Sequence, residues 1–259
     1  MGQDGAPMAT SSANGPALRV AAWSCPRTVS TALMRSFGNR PDTAVCDEPL
    51  YAHYLASTGR PHPGADEIVA QHESDWRAVA RWLTGPVPGG RRVFYQKHMA
   101  HHLLDDVERD WLWEIERHFF LIRAPRELLP SLDAVTPRPT LADTGFPQLF
   151  ELFEAVRART GVAPPVVDAR DLLLAPRAVL VELCAALGLA FDQAMLAWPP
   201  GPRASDGVWA RHWYASVERS TGFGPYRAKT GPLPQHLAEL CEQCARPYET
   251  LHRHRIQAS

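Results

Sequence analysis

Six residues, Pro26-Arg27-Thr28-Val29-Ser30-Thr31, join the apolar run Leu18-Arg19-Val20-Ala21-Ala22-Trp23 (closed by Ser24-Cys25) to a stretch with Leu33, Met34 and Phe37 at helical spacing. A buried strand that turns directly into a helix leaves a row of backbone N–H groups at the helix start. Those donors and the helix dipole favour an anion. Arg27 adds a fixed cation. Thr28, Ser30 and Thr31 add hydroxyls that suit an anion or cap the helix. The loop lacks G-x-x-x-x-G-K-[ST], and no lysine precedes its hydroxyls, which argues against an ATPase or kinase of the ordinary P-loop type.

The same alternation runs through the rest of the chain. Thr43 to Cys46, Arg92 to Gln96, His118 to Ile122 and Val166 to Asp168 read as further strands. Asp75 to Leu83 and Arg177 to Leu187 read as helices, the second stopped by Gly188, and Gly85 to Gly90 is a break. Strands separated by helices predict a three-layer α/β/α fold with a central, mainly parallel sheet of about five strands. Ligands of such sheets sit at the carboxyl ends of the strands, where the unusual residues of this chain fall.

The reading is a single domain over residues 17–259 behind a disordered tail, 1–16, of small polar residues. A formal net charge of −1 from 27 basic and 28 acidic residues argues against a dedicated nucleic-acid binder. No apolar run approaches the roughly 20 residues of a membrane span. Five scattered cysteines without a secretion signal predict reduced thiols in the cytoplasm. Cys241 and Cys244 form a C-x-x-C late in an expected helix, read as structural because no second cysteine pair or histidine completes a zinc set.

Ser24-Cys25-Pro26-Arg27-Thr28-Val29-Ser30-Thr31 resembles the 5′-phosphosulfate loop of sulfotransferases that use 3′-phosphoadenosine-5′-phosphosulfate (PAPS). Arg27 matches the basic position, and Thr28, Ser30 and Thr31 match the hydroxyl positions. Val29 stands where the family has glycine, which predicts a φ that a β-branched residue tolerates. A second stretch, Phe119 to Ser131, is similar to the family's strand-end arginine with a serine eight residues on. There Arg123 and Ser131 would bind the 3′-phosphate. A strand-end arginine paired to a carboxylate is the alternative for Arg123. Val166 to Leu172 resembles a late strand and turn of the family. Arg219-Ser220-Thr221-Gly222 through Arg227 resembles the loop that covers the nucleotide, with Arg219 and Arg227 toward phosphate.

The resemblance implies a PAPS-dependent sulfotransferase with PAP as product, no metal and a small-molecule acceptor. A homodimer is compatible with the sequence. Other readings are a kinase-like transferase or a catalytically silent nucleotide binder on the same fold. Glu48, after the second strand, and His98, following Lys97 after the third, are the candidate bases. Lys97 and Arg27 are the candidate stabilisers of the transferring and leaving groups. His98, His101 and His102 would share a face if helical, but no carboxylate partner completes a metal set, so His101 and His102 are read as acceptor-lining with Tyr51, Trp209 and Trp213.

Overall fold

The computed structural model describes residues 15–257. Each central strand sends alternate side chains to opposite faces, and this period of two builds two cores. Ala21, Trp23, Phe94, Phe120 and Ile122 enter one, and Val20, Ala22, Tyr95, Phe119 and Leu121 the other. The strands are β1 (Leu18–Ser24), β2 (Thr43–Asp47), β3 (Val93–Met99), β4 (Arg117–Ile122) and β5 (Val166–Asp168). Their order is β2-β3-β1-β4-β5, and every pairing is parallel. The expected five-stranded α/β sheet is therefore what forms.

The first helices are α1 (Ser30–Gly38), α2 (Tyr51–Thr58), α3 (Ala65–Gln71) and α4 (Trp76–Thr84). After β4 come α5 (Pro125–Asp133), α6 (Leu141–Thr144) and α7 (Phe146–Thr160). The chain ends with α8 (Ala169–Leu174), α9 (Pro176–Leu187), the short α10 (Ala210–Trp213) and α11 (Ala215–Glu218), and α12 (Ala238–Arg253). α1 and α9 cover one face through Leu33, Met34, Phe37, Val179, Leu183 and Leu187. α4, α5, α7 and α12 cover the other. A third cluster joins α2 and α3 to Trp209 and Tyr214.

β1 has β3 on one side and β4 on the other. The chain leaving it therefore enters the crevice where the connections diverge, the ligand position of open α/β sheets. Arg35 of α1 makes two bonds, 2.6 and 2.7 Å, to Asp206, and this buried pair ties the segment before α10 to the helix that starts at the crevice.

Two expectations need correction. β3 runs on to Met99, so Lys97 and His98 lie within the strand, and His101 and His102 follow in a short 3-10 turn, not on one helix face with His98. Cys241 and Cys244 fall in the opening turns of α12, not late in it. Of the expected tail, residues 1–14 lie outside the described residues, and Gly15 and Pro16 lead into β1.

Candidate functional site

The loop after β1 turns twice through left-handed conformations, with φ 64° at Arg27 and 60° at Val29. The expectation for Val29 is thus overturned. A β-branched residue takes a conformation that disfavours L residues by about 1–2 kcal/mol. The surroundings over-determine the turn: the Val29 carbonyl accepts the Leu33 N–H at 3.1 Å, and its side chain packs on the core. Such turns point successive N–H groups into one concavity. No side chain caps α1, and the Thr28 hydroxyl bonds to the Cys25 carbonyl at 2.8 Å, so the N–H groups of the first turn face the cavity uncapped.

The second cationic element arrives from the turn between β4 and α5. Arg123 Nη1 donates to the Arg27 carbonyl at 3.1 Å, and Arg27 Nε donates to Ser131 Oγ at 3.0 Å. Arg27 therefore meets Arg123 and Ser131, which lie 96 and 104 positions further along the chain. Arg123 Nε also donates to Glu127 Oε2 at 3.2 Å, so the paired-arginine alternative holds as well. With Pro26, Thr28, Val29, Ser30 and Thr31 they line a cavity of about 710 Å³. Arg219, Ser220, Thr221 and Gly222 close it from the C-terminal segment, and an isolated bridge from Gly222 to Ala197 anchors that wall. Arg227 is exposed and lies outside the lining.

At the far wall, Lys97 Nζ donates to Asp47 Oδ1 at 2.7 Å, Glu48 Oε1 at 2.6 Å and Tyr214 Oη at 2.9 Å. Its three protons are thus all engaged within the protein. Tyr214 Oη in turn donates to Asp47 Oδ2 at 2.6 Å. Burial by itself pulls the Lys97 ammonium down, and the Asp47 and Glu48 charges overcome it and hold it well above its ordinary value. Burial raises the Glu48 carboxyl; the Lys97 charge opposes this and Asp47 adds to it. Glu48 sits at φ 43° with its second oxygen 4.0 Å from His102 Nδ1. A carboxylate of raised basicity, fixed on a cation and facing a cavity, suits proton abstraction.

Beyond Glu48 the wall is made of rings. His102 stacks on Tyr51 at 4.6 Å and on Tyr54 at 4.8 Å, and His101 meets Tyr54 edge-on at 5.2 Å. Burial holds His101 down to about 3, and burial, followed by the repulsion a second charge would meet from His101, His62 and the Lys97 ammonium, keeps His102 well below its usual value, so both rings are neutral. Trp213 also lines the cavity, whereas Trp209 lies behind Tyr51 in the third cluster.

His98 is turned the other way. Strand alternation sends it into the core, stacked on Trp23 at 4.2 Å and lowered to about 3 by burial, away from the cavity that Lys97 lines. Of the two candidate bases, only Glu48 faces the site. Sequence reasoning missed Asp47 and Tyr214. Asp47 was legible as the neighbour of Glu48 at a strand end. Tyr214 lies 167 positions from Asp47 and carries no local signal. The wall residues His62, half-buried, and Asp143, buried and paired to Arg60 at 3.1 Å, were missed for the same reason. Among the described residues no group of three or more metal-type ligands is present, and no helix is long and apolar enough to cross a membrane.

An uncapped, arginine-rich cradle at the switch point of a parallel sheet, facing a carboxylate held on lysine, has the chemistry to hold an anionic donor beside a base, on a P-loop-like fold. The sulfotransferase domain family matches residues 18–256, and the chain belongs to that family. It is 36% identical over 233 residues to the branched-chain-amino-acid aminotransferase-like protein 2 of Arabidopsis thaliana, covering 90% of this chain and 41% of that protein. Protein 1 of the same name matches equally, 36% over 232 residues. The chain thus spans about two fifths of the length of these curated relatives. Among solved structures, the sulfotransferase domain of the Synechococcus PCC 7002 olefin synthase aligns with TM-score 0.53 at 19% identity, covering 89% of this chain and 95% of that one. A sulfotransferase from Alicyclobacillus acidocaldarius aligns with TM-score 0.54 at 14% identity, covering 93% and 97%. At such identities these two likenesses show the shared fold.

Proposed function

We propose that the protein transfers a sulfuryl group from PAPS to a hydroxyl or amine of a small-molecule acceptor. One observation carries the reading: Arg27, Arg123 and Ser131 meet at one end of a cavity whose other wall presents Glu48 held on Lys97. The residues suit a ligand with two separated anionic ends. The N–H groups of α1 and Arg27 would hold the 5′-phosphosulfate, Arg123 and Ser131 the 3′-phosphate, and Arg219 to Gly222 the covering side.

PAPS supplies an activated sulfur, whose bond to the 5′-phosphate oxygen breaks as the acceptor atom bonds to it. Glu48 takes the acceptor proton on Oε2, since Oε1 is engaged by Lys97. Lys97 keeps that carboxylate ionised against the penalty of burial. Arg27 offsets the charge that develops on the leaving phosphate. Tyr51, His101, His102 and Trp213 receive the acceptor. Incubation of PAPS and a metabolite extract with the protein, followed by mass spectrometry, is expected to reveal a product heavier by one SO₃ unit. Glu48→Gln is expected to retain PAP binding and lose that product. Preferential binding of ATP with magnesium over PAP would overturn the reading in favour of a kinase-like transferase.

A further inference from the structure

The cationic clamp is already occupied by an anion of the protein's own. Glu127 lies one turn into α5, and its Oε2 accepts Arg123 Nε at 3.2 Å with both side chains largely buried, at 15% and 14% exposure. Its other oxygen, Oε1, accepts the hydroxyl of Tyr226, which stands on the segment following the Arg219–Gly222 wall. The Arg170 guanidinium lies over the Tyr226 ring at 5.6 Å. Lys229 on the same segment is lowered first by burial and then by the Arg123 and Arg27 charges, and the Glu127 charge opposes them. The Glu127 carboxylate is thus bonded by the cation at the end of β4, and its charge reaches Lys229 of the C-terminal segment.

We propose that Glu127 and Tyr226 form a built-in counter-anion latch, in which a nucleotide phosphate must share Arg123 with the Glu127 carboxylate. This rests on the reading of Arg123 as the 3′-phosphate ligand. The latch does two things. It neutralises the crowded guanidinium groups of the free protein, and it tempers affinity for the bisphosphate nucleotide, because a carboxylate beside a phosphate repels it. Through Tyr226 it also ties the state of Arg123 to the segment that carries the covering wall. A first-turn acid placed only for the helix dipole would do neither, since its removal affects helix stability without regard to which nucleotide is present.

Titration calorimetry of PAP and of adenosine 5′-monophosphate against wild type, Glu127→Gln and Glu127→Ala tests this. The monophosphate lacks the 3′-phosphate and serves as the internal control. Glu127→Gln keeps the shape and removes the charge; it is expected to bind PAP about tenfold more tightly, with the monophosphate changed by less than about twofold. Glu127→Ala is expected to tighten PAP in the same sense and stands in if the glutamine variant fails to fold. Equal or weaker PAP binding by the folded variants, with wild type still preferring PAP, overturns the latch alone. Changes of the same size for both nucleotides overturn it too. Wild type that does not prefer PAP to the monophosphate overturns the donor reading and the latch with it.

Discussion

Replacing Lys97 with methionine keeps most of the stem and removes Nζ. In the wild type that atom donates to three acceptors between 2.6 and 2.9 Å, and the exposures are 1% for Lys97 and Asp47 and 12% for Glu48. The variant leaves two adjacent carboxylates buried, with the Tyr214 hydroxyl still donating to Asp47. Breaking a buried pair by deleting one partner destabilises by about 3–5 kcal/mol, against a total of about 5–15 kcal/mol for a typical domain. At about 2–4 °C per kcal/mol for a chain of this size, the melting temperature is expected to fall by roughly 10 °C. The sign with pH follows from linkage. Without Lys97 the Glu48 carboxyl loses the charge that opposes its rise and titrates still further above its unfolded value, so the unfolded chain ionises first as pH rises. Relative stability is therefore best in acid and is lost as pH rises through the elevated folded value. Urea unfolding of Lys97→Met should show a deficit that widens from about pH 5 to about pH 8. Asp47→Asn combined with Lys97→Met should recover part of it, because one uncompensated charge is gone. A deficit below about 1 kcal/mol at about pH 8, or one that does not change with pH, would refute the argument that this cation holds the two acids in place.

Three further outcomes follow from the geometry. His98 and His101, both held to about 3, and His118, held to about 4, are neutral in the fold and ionise near 6.5 when unfolded. Their folded values are depressed, so full stability holds above about pH 6.5, and each costs about 2 kcal/mol by about pH 5; a flat stability profile across that window would contradict this burial. Val29→Gly relieves left-handed strain worth about 1–2 kcal/mol while adding chain entropy of about 0.5–1 kcal/mol to the unfolded state, so urea unfolding should find it within about 1 kcal/mol of wild type; a loss above about 2 kcal/mol would show the valine to be unstrained. Arg123→Ala should weaken PAP binding by about a hundredfold in calorimetry in a variant that still unfolds cooperatively, and retained affinity would remove Arg123 from the phosphate site.

Much of the fold was legible because it depends on local patterns. The β1 loop and the Gly188 stop read from local pattern and fall where expected, while Arg123 at a strand end with Ser131 eight residues on was legible through the family resemblance. Misreadings came where a strand's length decides a side chain's direction. Ending β3 at Gln96 put Lys97 and His98 side by side in a loop. Three more ladder pairs, Ala22 with Lys97, Trp23 with His98 and Ser24 with Met99, keep them in the strand on opposite faces. Val29 was misread for a related reason: a residue's own preference is weak where its neighbours dictate the turn.

From the sequence by itself came the alternation of strand and helix, the cationic loop after β1 and the candidate acid at the end of β2, because each is a property of a few adjacent residues. Tertiary structure alone decided which candidate base faces the cavity, that Tyr214 and Asp47 complete the lysine's coordination, and that the Tyr226 hydroxyl meets Glu127. Those facts depend on contacts between positions scores to more than a hundred residues apart, or on which face of a strand a side chain takes, and neither quantity is written in local composition.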